Sequence, residues 1–188
     1  MSQMTKNALA NSLKKLLETK TLEKITVKEL VEDCGVNRQT FYYHFRDVYD
    51  LLDWIFITDG RAIVPENRLD DWEERARGVF AYLEDNQQFI INAYHSIARE
   101  HLERYVGREM YKLIYTRIQL ASTDLEVCES DKQFVANFYK FAFTGLIFEW
   151  IRCGMQEKSE KIVDKLAVLM GGAFRGVLEK FSQKNVSC

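Results

Sequence analysis

Apolar residues recur with helical spacing along most of the chain. Between residues 5 and 20, leucines stand at positions i, i+4, i+7 and i+8 with charged residues between them: Leu9, Leu13, Leu16 and Leu17. This spacing predicts an amphipathic helix of about four turns. Three shorter helices are predicted to follow it, at about 26–34, 37–45 and 47–59.

The ends of these short helices carry recognisable cap residues. Thr26 with Glu29 three positions later forms a capping-box pattern, and Gly35 suits the left-handed backbone that closes a helix. Asn37 and Asp47 are expected to cap the third and fourth helices. These signals predict a helix, a tight turn and a second short helix within about 26 residues.

Beyond residue 59, a polar stretch at 60–71 contains the single proline, Pro65, and is predicted to be a linker. Five further helices are predicted at about 72–85, 87–98, 101–122, 131–155 and 159–182. The expected fold is all-α with about nine helices. It divides into an N-terminal three-helix helix-turn-helix domain, residues 1–50, and a C-terminal helical bundle domain, residues 51–188.

Composition and charge narrow the class of protein. A formal net charge of −2 over 188 residues argues against a general polyanion binder. The longest mostly apolar run, residues 141–148, is far below the ~20 residues that span a bilayer. The N-terminus has no pattern of a secretory signal peptide. We therefore expect a cytoplasmic protein without a membrane partner.

Residues 26–51 indicate the function. In a helix-turn-helix, the second helix lies in the major groove of DNA. At 100° per residue, Phe41 and Phe45 share an inward face, whereas Gln39, Tyr42 and Tyr43 lie on the opposite, outward face. An exposed aromatic pair is also compatible with simple half-buried packing.

Arg38 lies at the margin of the inward face, but at the N-terminal end of the helix, where its long side chain can still reach outward. Together with the outward residues it has the chemistry that reads bases. Arg38 can donate two parallel hydrogen bonds to guanine, and Gln39 can pair with the adenine edge in the same way. Tyr43 can contact a thymine methyl group. These three residues are therefore predicted to select sequence.

A second group suits the DNA backbone. Thr40, Tyr42 and His44 carry donors for phosphate oxygens, which fix the position of the protein without reading sequence. Lys28 on the preceding helix can reach a phosphate or a groove edge. Asn37, at the start of the reading helix, completes the predicted DNA-facing set.

The ordered residues over this stretch resemble the DNA-binding domain of the TetR family of transcriptional regulators. The resemblance covers roughly residues 5–55 and rests on these positions: Thr26, Leu30-Val31, Gly35-Val36, the run Thr40-Phe41-Tyr42-Tyr43-His44-Phe45, and Leu51-Leu52. It implies base contacts at Arg38, Gln39 and Tyr43 and backbone contacts at Thr40, Tyr42 and His44.

Two details refine the resemblance. Many members carry a lysine near the start of the fourth helix that contacts a phosphate. In this sequence Asp47-Val48 stand at that place, and Arg46 is the possible substitute.

The run from Arg38 to Leu52, together with Trp54-Ile55 and Trp150-Ile151, is similar to a Gram-positive subgroup. That subgroup includes the activator of dihydroxyacetone kinase operons, which a partner protein controls.

The resemblance implies a homodimer that reads a palindromic operator with two recognition helices about 34–36 Å apart. The family builds this dimer from its last two long helices, here about 131–155 and 159–182. A GxxxG spacing and an apolar stripe in the last helix are the predicted contacts: Leu166, Met170, Gly172, Phe174, Gly176 and Leu178. The alternative is that this stripe is intramolecular core, but a helix apolar on so much of its circumference favours the dimer.

The region between the linker and residue 155 is rich in aromatic residues, where the family encloses an effector pocket. Tyr94 and His95 are the polar residues predicted to contact a small-molecule or protein effector of unknown identity. The alternative, that these aromatic side chains simply fill the core, has equal weight.

Enzymatic motifs are missing from the sequence. HExxH, GxSxG, GxxxxGK[ST] and GxGxxG do not occur, and no histidine has an acid three residues before it. None of the four cysteines sits in a CxxC pair. We predict no catalysis, no cofactor and no metal site.

The sequence thus predicts a sequence-specific DNA-binding regulator that acts as a repressor released by an effector. One alternative is an activator of the same fold, controlled by a protein coactivator and lacking a ligand cavity. Another is a helical protein-interaction module that does not bind DNA.

Overall fold

The computed structural model describes residues 2–63, 72–96 and 99–184. These residues form ten α-helices and one short 3-10 helix (Leu22–Lys24), and no β-strand occurs among them. The α-helices are α1 Ser2–Leu17, α2 Val27–Cys34, α3 Arg38–His44, α4 Val48–Ile63, α5 Trp72–Asp85, α6 Gln87–Tyr94, α7 Arg99–Ala121, α8 Glu129–Arg152, α9 Ser159–Met170 and α10 Ala173–Lys184.

The all-α prediction is confirmed, but three element boundaries differ. The single helix predicted at 159–182 is wrong, because Gly172 takes a left-handed φ of 74° and separates α9 from α10. The helix predicted at 87–98 ends at Tyr94. In the predicted linker, residues 60–63 belong to α4, and residues 64–71 lie outside the described part of the chain.

The N-terminal helices share a leucine-rich core. Leu9, Leu13 and Leu17 of α1 are fully buried, and α1 packs against α2 and α4. Leu30 of α2 and Phe41 of α3 are also fully buried. Each such side chain stabilises the fold by about 1.5–3 kcal/mol relative to an exposed one. This core fixes the position of α3 on the surface.

In the C-terminal half, the two longest helices, α7 and α8, pack side by side. Helix α5 packs on α9, and α10 packs on α7 and α9. Aromatic side chains pack between helices of this half and α4. The ring centre of Phe80 lies 5.4 Å from that of Trp150. The ring centre of Phe56 lies 5.9 Å from that of Phe89 and 6.0 Å from that of Tyr105.

Helix α4 joins the two halves, and polar contacts hold it at both ends. Near its C-terminus, Asp59 forms an ion pair with Lys14 of α1 at 2.5 Å and accepts a hydrogen bond from Tyr82 of α5. Burial, and then the neighbouring carboxylate, raise the pKa of Tyr82. Nearer the N-terminus, Asp53 contacts His101 Nδ1 of α7 at 2.8 Å. Helix α4 is thereby connected to α1, α5 and α7.

One glycine permits a close approach of α4 and α7. A Cβ atom at Gly60 would lie 1.6 Å from the hydroxyl oxygen of Tyr105, so a side chain at position 60 would displace that tyrosine. The Tyr105 ring stacks on Phe56, and burial raises its pKa to about 12.

The dimer contacts predicted on the last helices stay predictions, because the structure describes a single chain. Four of the predicted side chains are buried within that chain: Leu166, Met170, Phe174 and Leu178. Met170 and Phe174 also line a groove between α7 and α10. Gly172 lies in the break between α9 and α10, so it does not share a continuous helix with Gly176. Within one chain, the stripe contributes its largest side chains to the core.

Candidate nucleic-acid interface

The first element of the interface is the N-terminus of α2, where the predicted capping box is present. The Glu29 backbone N–H donates to Thr26 Oγ1 at 3.3 Å, and the Thr26 N–H donates to the Glu29 carboxylate at 2.9 Å. The same carboxylate accepts a hydrogen bond from Lys20 at 2.6 Å. The hydrogen bonds from Lys20 and Thr26 lower the pKa of Glu29 to about 2. Helix α2 is therefore fixed at its start by side chains of its own segment.

The turn between α2 and α3 depends on Gly35. Its φ of 64° and ψ of 30° lie in the left-handed region, as predicted from its position. The next residue, Val36, donates its N–H to the Val31 carbonyl at 3.0 Å, which closes the end of α2. A Cβ at position 35 would meet open space, so conformation rather than crowding selects glycine there.

Helix α3 begins at a second cap. Asn37 Oδ1 accepts the Thr40 N–H at 2.8 Å and the Thr40 hydroxyl at 3.0 Å. The hydroxyl hydrogen of Thr40 is thus already engaged, and donation to a phosphate would require it to change partner. The contacts predicted for Asn37 and Thr40 stay predictions, whereas the cap predicted for Asn37 is confirmed.

The inward face of α3 is aromatic. Phe41 is fully buried and Phe45 is 3% exposed, as the sequence predicts. Their rings lie 6.0 Å apart, and Phe45 makes an edge contact with Trp54 of α4 at 5.9 Å. These contacts attach α3 to α4 and orient its opposite face outward.

The outward face of α3 gathers the residues predicted to read bases. Arg38 and Gln39 are exposed at its first turn, and Tyr42 and Tyr43 are exposed by 58% and 82%. The half-buried His44 makes an edge contact with the Tyr43 ring at 4.9 Å. The phenols of Tyr42 and Tyr43 therefore extend into solvent from one rigid, seven-residue helix.

The remaining predicted backbone contact, Lys28, lies on α2. Its side chain is 63% exposed, and its ammonium lies 3.8 Å from the Glu32 carboxylate, which is a loose ion pair. Lys28 is accessible next to the turn and remains a predicted phosphate contact.

The start of α4 is acidic, as expected from Asp47-Val48 at the place where many family members carry a lysine. Asp47 Oδ1 accepts the Asp50 N–H at 2.8 Å, and Asp50 accepts the Arg46 N–H at 3.0 Å. The Arg46 guanidinium lies 3.6 Å from the other oxygen of Asp50. A negative residue stabilises this helix end, but it also repels an approaching phosphate.

Sequence reasoning missed a second exposed surface, on α8. Phe134, Phe138, Phe141 and Leu146, which we call the α8 apolar face, are exposed by about half to two thirds. The i, i+4, i+7 spacing of Phe134, Phe138 and Phe141 places these three on one side of the helix, and Leu146 lies toward the edge of that side. The signal was present in the sequence, but α8 is apolar around most of its circumference, so periodicity alone did not separate this side from the core side.

The residues predicted to bind an effector do not line a described cavity. Tyr94 is buried, with its ring stacked on Phe148 at 5.8 Å and the Arg99 guanidinium 4.6 Å from its centre. His95 follows it but is exposed. Two described grooves, of about 380 and 270 Å³, lie elsewhere on the surface, between α7 and α10 and between α5 and α9.

Within the described ranges, no group of three or more histidine, cysteine or acidic side chains could hold a metal ion. In the same ranges, no helix combines the length and apolar character that crossing a bilayer requires.

Models of known protein families match both halves of the chain. A family model described as bacterial regulatory proteins of the tetR family matches residues 12–54, and one described as a transcriptional regulator C-terminal region matches residues 70–172. The first match contains the capping box, the turn and α3.

A curated relative and a solved structure agree with these matches. The HTH-type dhaKLM operon transcriptional activator DhaS of Lactococcus lactis subsp. lactis (strain IL1403) is 23% identical over 172 residues, 90% of each chain. A solved structure named dihydroxyacetone kinase operon activator DhaS has the same fold, with a TM-score of 0.74 at 22% identity. The match covers 95% of this chain and 98% of that one. The chain belongs to the TetR family of bacterial transcription regulators and is not an enzyme.

Proposed function

We propose that the protein binds a palindromic DNA operator as a homodimer and regulates transcription from it in the cytoplasm. The observation that carries this proposal is the outward face of α3. Its four exposed side chains at positions 38, 39, 42 and 43 stand on a helix whose start, end and inner face are all fixed by other contacts. A rigid helix with this chemistry suits the major groove.

Each residue of this face has a distinct role in the proposal. Arg38 pairs with a guanine edge, Gln39 with an adenine edge, and Tyr43 contacts a thymine methyl group. Tyr42, His44 and Lys28 contact phosphates and fix the position of the helix. Asn37 holds the first turn through its cap and faces the DNA from there.

The homodimer is proposed to form through the α8 apolar face. Four large apolar side chains exposed along one helix form a patch that soluble monomers rarely retain. A two-fold axis next to α8 would bring the same patch of a second copy against it. Val168 and Leu169, at the exposed end of α9, are further candidates for this interface.

The sign of regulation and the nature of the effector are connected. The sequence predicts a repressor with a ligand pocket, and its alternative is an activator controlled by a protein. The aromatic core around Tyr94 and Phe148 is packed, and both described grooves are open to solvent. The relative is named an activator. We therefore favour the activator controlled by a protein effector over the repressor.

Helix α4 is proposed to transmit the effector signal. It leaves the DNA-binding half at Val48 and contacts α7 through Asp53 and His101 and through Gly60 and Tyr105. An effector that binds one arrangement of these helices more tightly than another changes DNA affinity by the ratio of its two affinities.

Binding to genomic DNA tests the proposal. Purified protein is incubated with sheared genomic DNA of the host, and the retained fragments are sequenced. A shared palindrome should emerge, with nanomolar affinity that weakens steeply as salt rises. The double variant Gln39→Ala/Tyr43→Ala is the control and should lose the enrichment. Equal retention of all fragments would contradict sequence-specific binding and favour an interaction module.

A reporter gene downstream of the recovered site tests the sign. Deleting the regulator should lower expression if it is an activator and raise it if it is a repressor. Adding candidate small metabolites to the purified protein should leave operator affinity unchanged if the effector is a protein. A metabolite that changes operator affinity would contradict the protein effector.

A further inference from the structure

The lysines around α1 differ in their partners. Lys14 forms an ion pair with Asp59 at 2.5 Å, Lys15 with Asp33 at 2.8 Å, and Lys20 with Glu29 at 2.6 Å. Each of these ammonium groups is therefore largely compensated by a carboxylate of its own chain. Such lysines have little charge left for an external anion.

Lys6 lies against aromatic rings instead. Its Nζ is 5.7 Å from the centre of the Phe45 ring and 5.9 Å from that of Trp54. Among the described residues, no carboxylate forms an ion pair with it. A ring attracts a cation through its quadrupole but has no net charge, so the ammonium is oriented without being neutralised. Lys6 therefore lies against the two rings and has no carboxylate partner among the described residues.

That place is the C-terminal end of the reading helix. Phe45 directly follows α3, and its contact with Trp54 joins α3 to α4. When α3 lies in the major groove, the phosphates of the two strands pass close to the ends of the helix. The Lys6 ammonium is thus next to the expected path of one strand.

The neighbouring start of α4 supplies one cation, the exposed Arg46, together with two carboxylates. Asp47 and Asp50 occupy its first positions, and Asp50 also binds the backbone and side chain of Arg46. The net charge of these three side chains is −1. A phosphate at this end of α3 would meet repulsion from α4 unless another element provides the positive charge.

We propose that Lys6 binds a backbone phosphate of the DNA at the C-terminal end of α3. The proposal rests on the DNA binding argued above. Phe45 and Trp54 hold the ammonium in place before DNA arrives, and the contact contributes affinity but no sequence preference. Lys6 thereby offsets the net negative charge of Arg46, Asp47 and Asp50 at the start of α4.

The test uses full-length protein and a fluorescent duplex of random sequence, about 30 base pairs long, which accommodates two half-sites with flanks. Anisotropy titrations between about 50 and 200 mM salt give the slope of the logarithm of the binding constant against the logarithm of the salt concentration.

The variants are Lys6→Gln, Lys6→Met and Lys6→Arg. Lys6→Met keeps an apolar stem against the rings, and Lys6→Arg keeps the charge. Lys161→Gln, an exposed lysine on α9, is the matched control.

Both neutral variants should reduce the magnitude of the salt slope by about 0.9 for each recognition helix bound. Affinity at 50 mM salt should fall by about tenfold for each phosphate that is no longer neutralised, because counterion release drives it. Lys6→Arg and Lys161→Gln should behave like the original protein. Thermal unfolding of each variant identifies any loss of fold, and Lys6→Met is the variant least subject to it.

A slope unchanged in the folded Lys6→Met variant would overturn the inference while leaving DNA binding intact. A changed base preference at individual operator positions would also overturn it, since a phosphate contact reads no sequence. If the original protein shows no salt-dependent binding at all, the proposed function itself fails, and this inference fails with it.

Discussion

Two exposed aromatic surfaces of this protein have similar accessibility but different chemistry. On α3, Tyr42 and Tyr43 are exposed by 58% and 82%; on α8, Phe138 and Phe141 are exposed by 63% and 66%. The tyrosines carry hydroxyl groups and stand beside Arg38 and Gln39. The phenylalanines have no hydrogen-bonding group of their own and stand beside further apolar side chains, with the Lys140 ammonium 3.9 Å from the centre of the Phe141 ring. Exposure alone therefore does not identify a function. The polar atoms on and around the rings distinguish the surface that we propose for DNA from the surface that we propose for a second copy of the chain.

The two surfaces also differ in how the chain supports them. Helix α3 has seven residues and is held by a cap at Asn37, a turn at Gly35 and the buried ring of Phe41. Helix α8 has 24 residues and is held by packing along α7. The contacts that hold α3 join residues close together in the sequence, whereas the contacts that hold α8 join it to a different helix.

The largest expected effect comes from charging the α8 apolar face. The double variant Phe138→Glu/Phe141→Glu should form monomers, because a two-fold interface would bring four carboxylates together. Operator affinity should fall by about 10²–10⁴-fold, since each half-site is then bound without the linked second one. Sedimentation equilibrium and gel shift measure both effects. Leu120→Glu, on an exposed residue of α7, is the control and should remain dimeric.

Removing the proposed guanine contact should have the next largest effect. Arg38→Ala is expected to cost about 1–3 kcal/mol of binding and to relax the preference at one base pair of each half-site. Lys28→Ala should weaken all sequences equally. Titrations against a set of operators with single base changes distinguish the two. An Arg38 variant with the original base preference would remove the proposed role of Arg38.

A single hydroxyl group tests the chemical difference between the surfaces. Tyr42→Phe should weaken binding by about 0.5–1.5 kcal/mol without altering the preferred site, because it removes one hydrogen bond to a phosphate. The reverse change on the other surface, Phe138→Tyr, should weaken dimerisation. Operator affinity should then fall only at protein concentrations where the dimer dissociates, with no change in the preferred site. A new preferred operator for the Tyr42 variant would contradict the phosphate contact.

The smallest expected effect concerns the local support of α2. The pKa of Glu29 is lowered to about 2 from its ordinary 4.5, so its charged form stabilises the fold above about pH 4.5. This stabilisation is lost as pH falls toward 2. Glu29→Gln should therefore lower Tm at pH 7, and the difference from the original protein should shrink with acid. Glu32→Gln, on the same helix but outside the capping box, should show a smaller difference at pH 7.

The sequence was informative where the structure depends on neighbours in the chain. The capping box, the Gly35 turn and the Asn37 cap each involve residues within about four positions, so residue type and spacing are sufficient to predict them. The outward direction of Tyr42 and Tyr43 follows from the same local geometry once Phe41 is placed inside.

Contacts between distant residues were not predictable in this way. The periodic stripe with Leu166 and Leu178 correctly indicated burial, but it did not show whether the covering surface belonged to the same chain. The glycine pair Gly171-Gly172 indicates a break between two helices, but the helical spacing on both sides of it favoured one continuous helix. The ion pair between Lys14 and Asp59 joins residues 45 positions apart and left no signal in the sequence.

The two caps around α3 have a thermodynamic consequence. Because the Asn37 cap and the Gly35 turn before it place α3 in the unbound protein, the proposed DNA binding requires no coupled folding of this helix. Coupled folding buries a large apolar area and produces a strongly negative heat-capacity change on association. For this protein, the heat-capacity change of operator binding should therefore reflect only the surface that contacts DNA. The conformational entropy of α3 is already lost when the protein folds, so DNA binding does not have to offset it.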